Sequence, residues 1–453
     1  MRADLHEPTI AISIKDHSFG QPCLQVSEVR INKHRQSNIH RIQVKLREWT
    51  MKLLICLSIL LLIQAPDDVR GYFELPLRRA VTPLAGELGQ PVVNYYTQVA
   101  IGTPEQVFNI QFDVDLADIF IPKREGMLAE RSGYLHHGNG YSAELSTTSH
   151  RSAGSASVEL DYQKCRLTGQ HYTDLVRFPQ AKRRPISWNQ EFIAVSRASN
   201  RQFKDLPVDG YFGIPSTNVS RHGTVNPLIQ MGTPYMTLWL NPNQDSDEGG
   251  EMIFGGYHTG RFTGTVWYHH VTENPEGRWS LYLRAVTFND MAGIVFIGCK
   301  EIACQAVLSI GRSDIYGPRD QVKKLYHELG VKNESLPLID CRRIDELPPI
   351  TFRIGGQGRP LGMPNSDKWD FEQNCSLPPQ FYIRRLPDQR FHTNETCYVA
   401  VLPNDEGNPH EWILGTYFLN NYYTFFELSA NPRQVGLALS RDISKEREPS
   451  QSR

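Results

Sequence analysis

From residue 72 to residue 440 the chain alternates between short apolar or alternating runs and polar turns. VVNYYTQVAIG, VFNIQF, EMIFGG, TGTVWYHHV, WSLYLRAVTF, ITFRIGG and YYTFFEL are examples. Tyr, Phe, Val, Ile and Thr enrich them because branched and aromatic side chains fit a pleated, half-buried surface. Gly, Pro, Asn and Asp bound them, which predicts many short strands joined by turns, an all-β protein. One stretch breaks the period. From Arg319 to Leu329, the residues Val322, Leu325, Tyr326 and Leu329 share one helical face, after Pro318 and before Gly330. That spacing predicts a helix with a core-facing stripe. The pattern also occurs twice. Phe112-Asp113-Val114-Asp115 is followed by Asp209-Gly210-Tyr211-Phe212-Gly213-Ile214, and Val307-Leu308-Ser309-Ile310-Gly311 is followed at a similar interval by Trp412-Ile413-Leu414-Gly415. A turn followed at like distance by an apolar stretch ending near Gly, in both halves, predicts two related lobes.

Upstream the pattern changes. Met51-Lys52 leads into LLICLSILLLI and then Gln64-Ala65. One cation, a short apolar run and a small residue at its end describe a secretory signal peptide. The run is too short for a comfortable membrane span. Residues 1–50 are polar and unpatterned, so Met51 is expected to be the true start and 1–50 a non-native or disordered upstream extension. Secretion alters how the cysteines read. After the leader they are Cys165, Cys299, Cys304, Cys341, Cys375 and Cys397. An even set in an oxidising compartment favours disulfides, and no His/Cys cluster has zinc spacing, so neither a metal nor a cofactor is expected. Sequons at Asn218, Asn333, Asn374 and Asn394 predict glycosylated loops. The expected location is extracellular, with a lysosome-like compartment as the alternative. A formal net charge of -1 gives no field to attract nucleic acid or anionic lipid.

Six pieces of sequence, in order, resemble the pepsin-like aspartic peptidases over roughly residues 92–440. They are Tyr95-Tyr96-Thr97-Gln98-Val99-Ala100-Ile101-Gly102-Thr103-Pro104, Phe112-Asp113, Asp118-Ile119-Phe120-Ile121-Pro122, Ile253-Phe254-Gly255-Gly256, Cys304-Gln305-Ala306, and Trp412-Ile413-Leu414-Gly415 with Val435-Gly436-Leu437-Ala438. The resemblance implies a bilobal all-β fold, each lobe carrying one Asp-Thr-Gly turn, with a peptide cleft between them and a hairpin flap above it. It places an N-terminal lobe at 92–245 and a C-terminal lobe at 246–440. Residues 66–91 are left as a short pro-segment or N-terminal strand, and 441–453 as a disordered tail. It also implies disulfides Cys299–Cys304 and Cys341–Cys397; Cys165 and Cys375 have no family partner.

The family's reaction is water attack on a peptide carbonyl. Two close carboxylates share one proton, so that one takes a proton from water while the other donates to the carbonyl oxygen. Here Asp113 stands at the first acid position, but Val114, Asp115 and Leu116 follow where Thr, Gly and Ser are usual. At the second position the acid is Ser309, followed by Ile310 and Gly311. A hydroxyl donates a hydrogen bond but does not titrate near working pH. Neither Asp115, two residues from Asp113, nor Asp314 is placed by the family's geometry to substitute; on this reading Asp115 is a replacement tolerated after catalysis was lost. The family's flap carries a Tyr in a YGTGS-like stretch, and the local match is Arg151-Ser152-Ala153-Gly154-Ser155, which puts Arg151 in the Tyr position and Gly154 and Ser155 in the flap. The pro-segment is also shorter than the family's.

The leading expectation is therefore a secreted, monomeric, inactive homologue that holds an extended peptide or protein in its cleft by backbone pairing. The alternatives are an acid endopeptidase with an atypical site and a storage or structural glycoprotein with no cleft ligand. Ser309 is the feature that separates the first two.

Overall fold

The computed structural model describes residues 73–83, 89–124, 139–152, 157–182, 186–200, 203, 206–243, 246, 248–274, 276–290, 293–299, 304–331, 336–360, 370–386, 396–404 and 408–442. The leader, the upstream extension, Gly154, Ser155, Asn333, Asn394 and the tail from 443 lie outside these.

The first half contains β1 (Phe73–Thr82), β2 (Val92–Ile101), β3 (Gln106–Asp113), β4 (Ile119–Pro122), β5 (His150–Arg151), β6 (Val158–Tyr162), β7 (Cys165–Arg177), β8 (Ser187–Ala198), β9 (Gly210–Gly213), β10 (Tyr235–Leu240) and β11 (Gly250–Phe254). The second contains β12 (Phe262–His270), β13 (Ser280–Asp290), β14 (Gly293–Gly298), β15 (Cys304–Leu308), β16 (Ile315–Pro318), β17 (Leu338–Asp340), β18 (Ile350–Pro360), β19 (Asp370–Leu377), β20 (Ile383–Arg385), β21 (Thr396–Val399), β22 (Val401–Asn404), β23 (Glu411–Leu414), β24 (Tyr422–Glu427) and β25 (Gln434–Ser440). This is an all-β, bilobal fold, and its two halves repeat one topology. β3 runs parallel to β9, and β4 pairs antiparallel to β9. β15 runs parallel to β23, and β16 pairs antiparallel to β23.

A continuous ladder joins the halves. β1 pairs β11 through Phe73–Leu77 and β2 through Arg78–Thr82. From β11 the ladder passes to β10, β24, β25 and β12. Phe73, Leu75 and Leu77 alternate inward and are buried, and Phe73 stacks on Phe254 with ring centroids 4.7 Å apart. Burial of each such side chain contributes about 1.5–3 kcal/mol, so β1 is held by its own apolar face as well as by the ladder.

The helix Arg319–Leu329 forms as its spacing predicts, burying Val322, Leu325, Tyr326 and Leu329. Gly330 ends it at φ 72°, a left-handed conformation that suits a residue without a Cβ. Among the described residues, the α-helices Pro227–Gln230, Pro379–Tyr382 and Thr416–Leu419 are single turns too short to show a period. Cys299 bonds Cys304 and Cys341 bonds Cys397, the two pairs that the resemblance implies. Cys165 and Cys375 are buried free thiols.

Candidate active site

The site is built where two turns meet. β3 ends at Asp113, fully buried, and its parallel partner β9 ends opposite at Gly213. A Cβ on Gly213 would run into the carbonyl oxygens of Leu116 and Asp118, so only Gly lets the turn fold back there. β15 and β23 build the matching turn around Ser309, also fully buried. Gly415 fills the equivalent position, against the carbonyls of Arg312 and Asp314.

The two turns touch through Asp113. Its Oδ1 accepts from the backbone N–H of Asp115 at 3.1 Å, from that of Ile310 at 3.1 Å, and from Ser309 Oγ at 3.4 Å. Its Oδ2 accepts from the hydroxyl of Tyr162 at 2.9 Å. Burial pushes the Asp113 carboxyl up to about 6, and the charge of Asp115 adds to this; the Asp115 N–H, the Tyr162 hydroxyl and the Gly311 backbone work in the other direction. Burial, with the nearby Asp113 charge, also holds the Tyr162 phenol well above its usual range.

Tyr162 ends β6, and Cys165 opens β7 as its cross-strand partner. The two residues between them, Gln163 and Lys164, have φ of 46° and 66°. Two left-handed residues in succession make the tight turn whose twist matches a hairpin. Each costs about 1–2 kcal/mol for a residue with a Cβ. Gln163 Nε2 donates to the carbonyl of Gly311 at 2.8 Å and to the Tyr162 hydroxyl at 2.9 Å. The hairpin tip of the first half is thus latched onto the turn of the second.

Asp115 is far from idle. It forms an ion pair with Arg278 Nε, while Arg278 Nη1 donates to Glu411 at 2.8 Å. The side chains of Asp115, Arg278 and Glu411 are 11%, 17% and 8% exposed. Burial disfavours the Arg278 charge, but Asp115 and Glu411 more than offset it and hold the guanidinium above its ordinary range. Asp115 thereby takes part in a bridge between the lobes. The remaining carboxylates of the two turns are equally committed. Asp118 accepts from Ser220, from Thr224 at 3.2 Å and pairs with His222 at 2.7 Å. Asp314 accepts from Tyr398 at 2.9 Å and from Gln90 at 3.2 Å.

The family model for the eukaryotic aspartyl proteases matches residues 94–440. The chain belongs to that family. Gastricsin of Suncus murinus is 25% identical over 428 residues, covering 92% of this chain and 97% of that protein. Renin of Echis ocellatus is 26% identical over 356 residues, covering 76% and 80%. Human cathepsin D is 25% identical over 365 residues, covering 76% and 80%.

Within this aspartyl protease frame, Asp113 and Ser309 lie together across the two turns. Arg151 lies exposed on β5, paired with Tyr172 on β7. The hairpin over Asp113 carries Tyr162 instead, a correction to the Arg151 placement. The stretch Arg151-Ser152-Ala153-Gly154-Ser155 contains a glycine. The hairpin turn that forms has none, and its trace in the sequence is the pair of alternating runs, Val158-Glu159-Leu160-Asp161-Tyr162 and Cys165-Arg166-Leu167-Thr168, around a polar dipeptide. Asn218 and Asn374 are both exposed; Arg433 donates to the Asn218 side-chain oxygen at 3.1 Å.

Proposed function

We propose that this protein is a secreted, monomeric, non-catalytic aspartyl protease homologue that binds a peptide or protein in its inter-lobe cleft. The observation that carries the reading is the company Asp113 keeps. Its oxygens accept from N–H and O–H donors, and the group across the lobes is the Ser309 hydroxyl. A shared proton needs a second carboxylate at that point. Asp115 is committed to Arg278, and Asp314 to Tyr398 and Gln90. A loss of even four decades of rate corresponds to about 5.5 kcal/mol of transition-state stabilisation. Two disulfides and the leader-like run at 51–65 support secretion, and exposed Asn218 and Asn374 support glycosylation at those sequons. Among the described residues no helix is long and apolar enough to cross a membrane.

The test is digestion of denatured haemoglobin from pH 3 to 6 by the protein and by Asp113→Ala. Indistinguishable traces are expected. Activity present in the protein and lost in the variant would overturn the non-catalytic reading in favour of an acid endopeptidase.

A further inference from the structure

Beside the latch lies a cavity of about 530 Å³. The hairpin tip, Gln163 and Lys164, forms one wall, and Val307 and Ile413 contribute apolar surface. Most of the rest is polar: Gln305, Asn404, Asn408, Arg278 and Arg312 among them. On its Asp113 side stand the bonds of Gln163 to Gly311 and of Tyr162 to Asp113.

The two arginines in this cavity differ. Arg278 is spent on Asp115 and Glu411. Arg312 is not matched in this way. Its guanidinium lies over the Tyr316 ring, 5.0 Å from the centroid, and its Nε is buried with no hydrogen-bond partner. A guanidinium presents a planar fork matched to a carboxylate. Glu273 and Glu276 line the same cavity but are exposed, where water screens them. They bias the site against polyacidic ligands and towards one carboxylate among neutral or basic neighbours.

We infer that this cavity is a carboxylate subsite, in which Arg312 receives an acidic side chain or the C-terminus of a bound peptide. The inference rests on the peptide-binding reading above and specifies the ligand chemistry.

The probe is a set of randomised octapeptide pools, passed over the immobilised full-length protein and quantified as they elute. One pair of pools fixes a central Glu or a central Gln; the other has free or amidated C-termini. The protein is expected to retain a carboxylate-bearing pool about tenfold more tightly than its amide counterpart, in line with one charge-assisted bond. Whichever pair shows the preference identifies the side chain or the chain end as the source. In Arg312→Ala the preference of acid over amide pools should vanish, and Arg312→Lys should keep part of it. Equal retention of acid and amide pools by the unaltered protein would overturn the subsite and leave peptide binding standing, a comparison that needs no variant to fold. Retention of no pool would overturn peptide binding and the subsite with it.

Discussion

The turn after Asp113 and the turn after Ser309 are built on one frame and carry different chemistry. Each is closed by a glycine from a parallel strand, Gly213 in one and Gly415 in the other. Each carries a buried carboxylate five residues on, Asp118 and Asp314, bonded by hydroxyl groups from elsewhere in the fold. The backbone frame is therefore duplicated closely. At the tips the correspondence ends: Asp113 faces Ser309, Asp115 stands where the other turn has Gly311, and Leu116 where it has Arg312. What the comparison teaches is that packing constrains the frame and only chemistry constrains the tips. A tip residue can hold a partner of its own, as Asp115 does with Arg278.

The strongest way to break the comparison is at the glycines. Gly213→Ala and Gly415→Ala each force a methyl group into backbone carbonyls that cannot give way. Both are expected to cost about 4 kcal/mol or more, at the upper end of single-residue effects. Urea unfolding, or yield of soluble protein where the loss is too great to titrate, would measure this. If one variant is tolerated and the other is not, the two frames are not equivalent. Gly311→Ala sharpens the point, because its methyl group would meet Asp113 and Tyr162 side chains rather than backbone. A smaller penalty is expected there.

Next in size is the bridge that only one turn has. Arg278→Ala leaves Asp115 and Glu411 without their counter-charge, and a broken buried pair costs about 3–5 kcal/mol. Asp115→Gly, which gives the first turn the tip of the second, should cost less because Glu411 still pairs with Arg278. The double variant should be more stable than the sum of the two losses predicts. Strict additivity in denaturant unfolding would mean that Asp115 and Arg278 do not act together.

Much of the frame is legible in the sequence and much of the site is not, for physical reasons. The duplicated turns and the helix at 319–329 follow from local signals, apolar period and glycine placement; the disulfide pairing comes only through the family resemblance. The bridge does not, since Asp115 and Arg278 lie far apart in the chain and neither has an unusual neighbourhood. Tyr162 was missed because its turn is made by Gln163 and Lys164, residues that seldom adopt φ above zero. The latch that Gln163 makes with Gly311 is what the turn gains in return. Arg312 reads as one more polar loop residue until Tyr316 and the cavity surround it.

The smallest effect, and the most discriminating, concerns the buried carboxyls of the two turns. Burial pushes both Asp113 and Asp314 up to about 6, against about 3.9 in an unfolded chain. The folded state thus holds both protons more tightly. Stability from these groups is complete below about pH 4 and is lost as pH rises through 6, at up to roughly 1.4 kcal/mol per pH unit for each group. Glu251 acts in the opposite sense, because His258 and Arg261 outweigh its burial and hold it low, but its window lies below its ordinary range. Glu411, which burial also raises, acts in the same sense as the two carboxyls, whereas His269, which burial pushes down to about 4, adds stability as pH rises through the same window, so the net slope is the balance of these groups. Asp113→Asn and Asp314→Asn should each remove a like share of the destabilising component in denaturant unfolding. Asp115→Asn separates them. The charge of Asp115 helps raise Asp113 but is not among the influences on Asp314. It should draw the Asp113 part of the slope to lower pH and leave the Asp314 part in place. If the whole slope moves together, the two carboxyls titrate as one linked system, and the independence of the two tips would have to be abandoned.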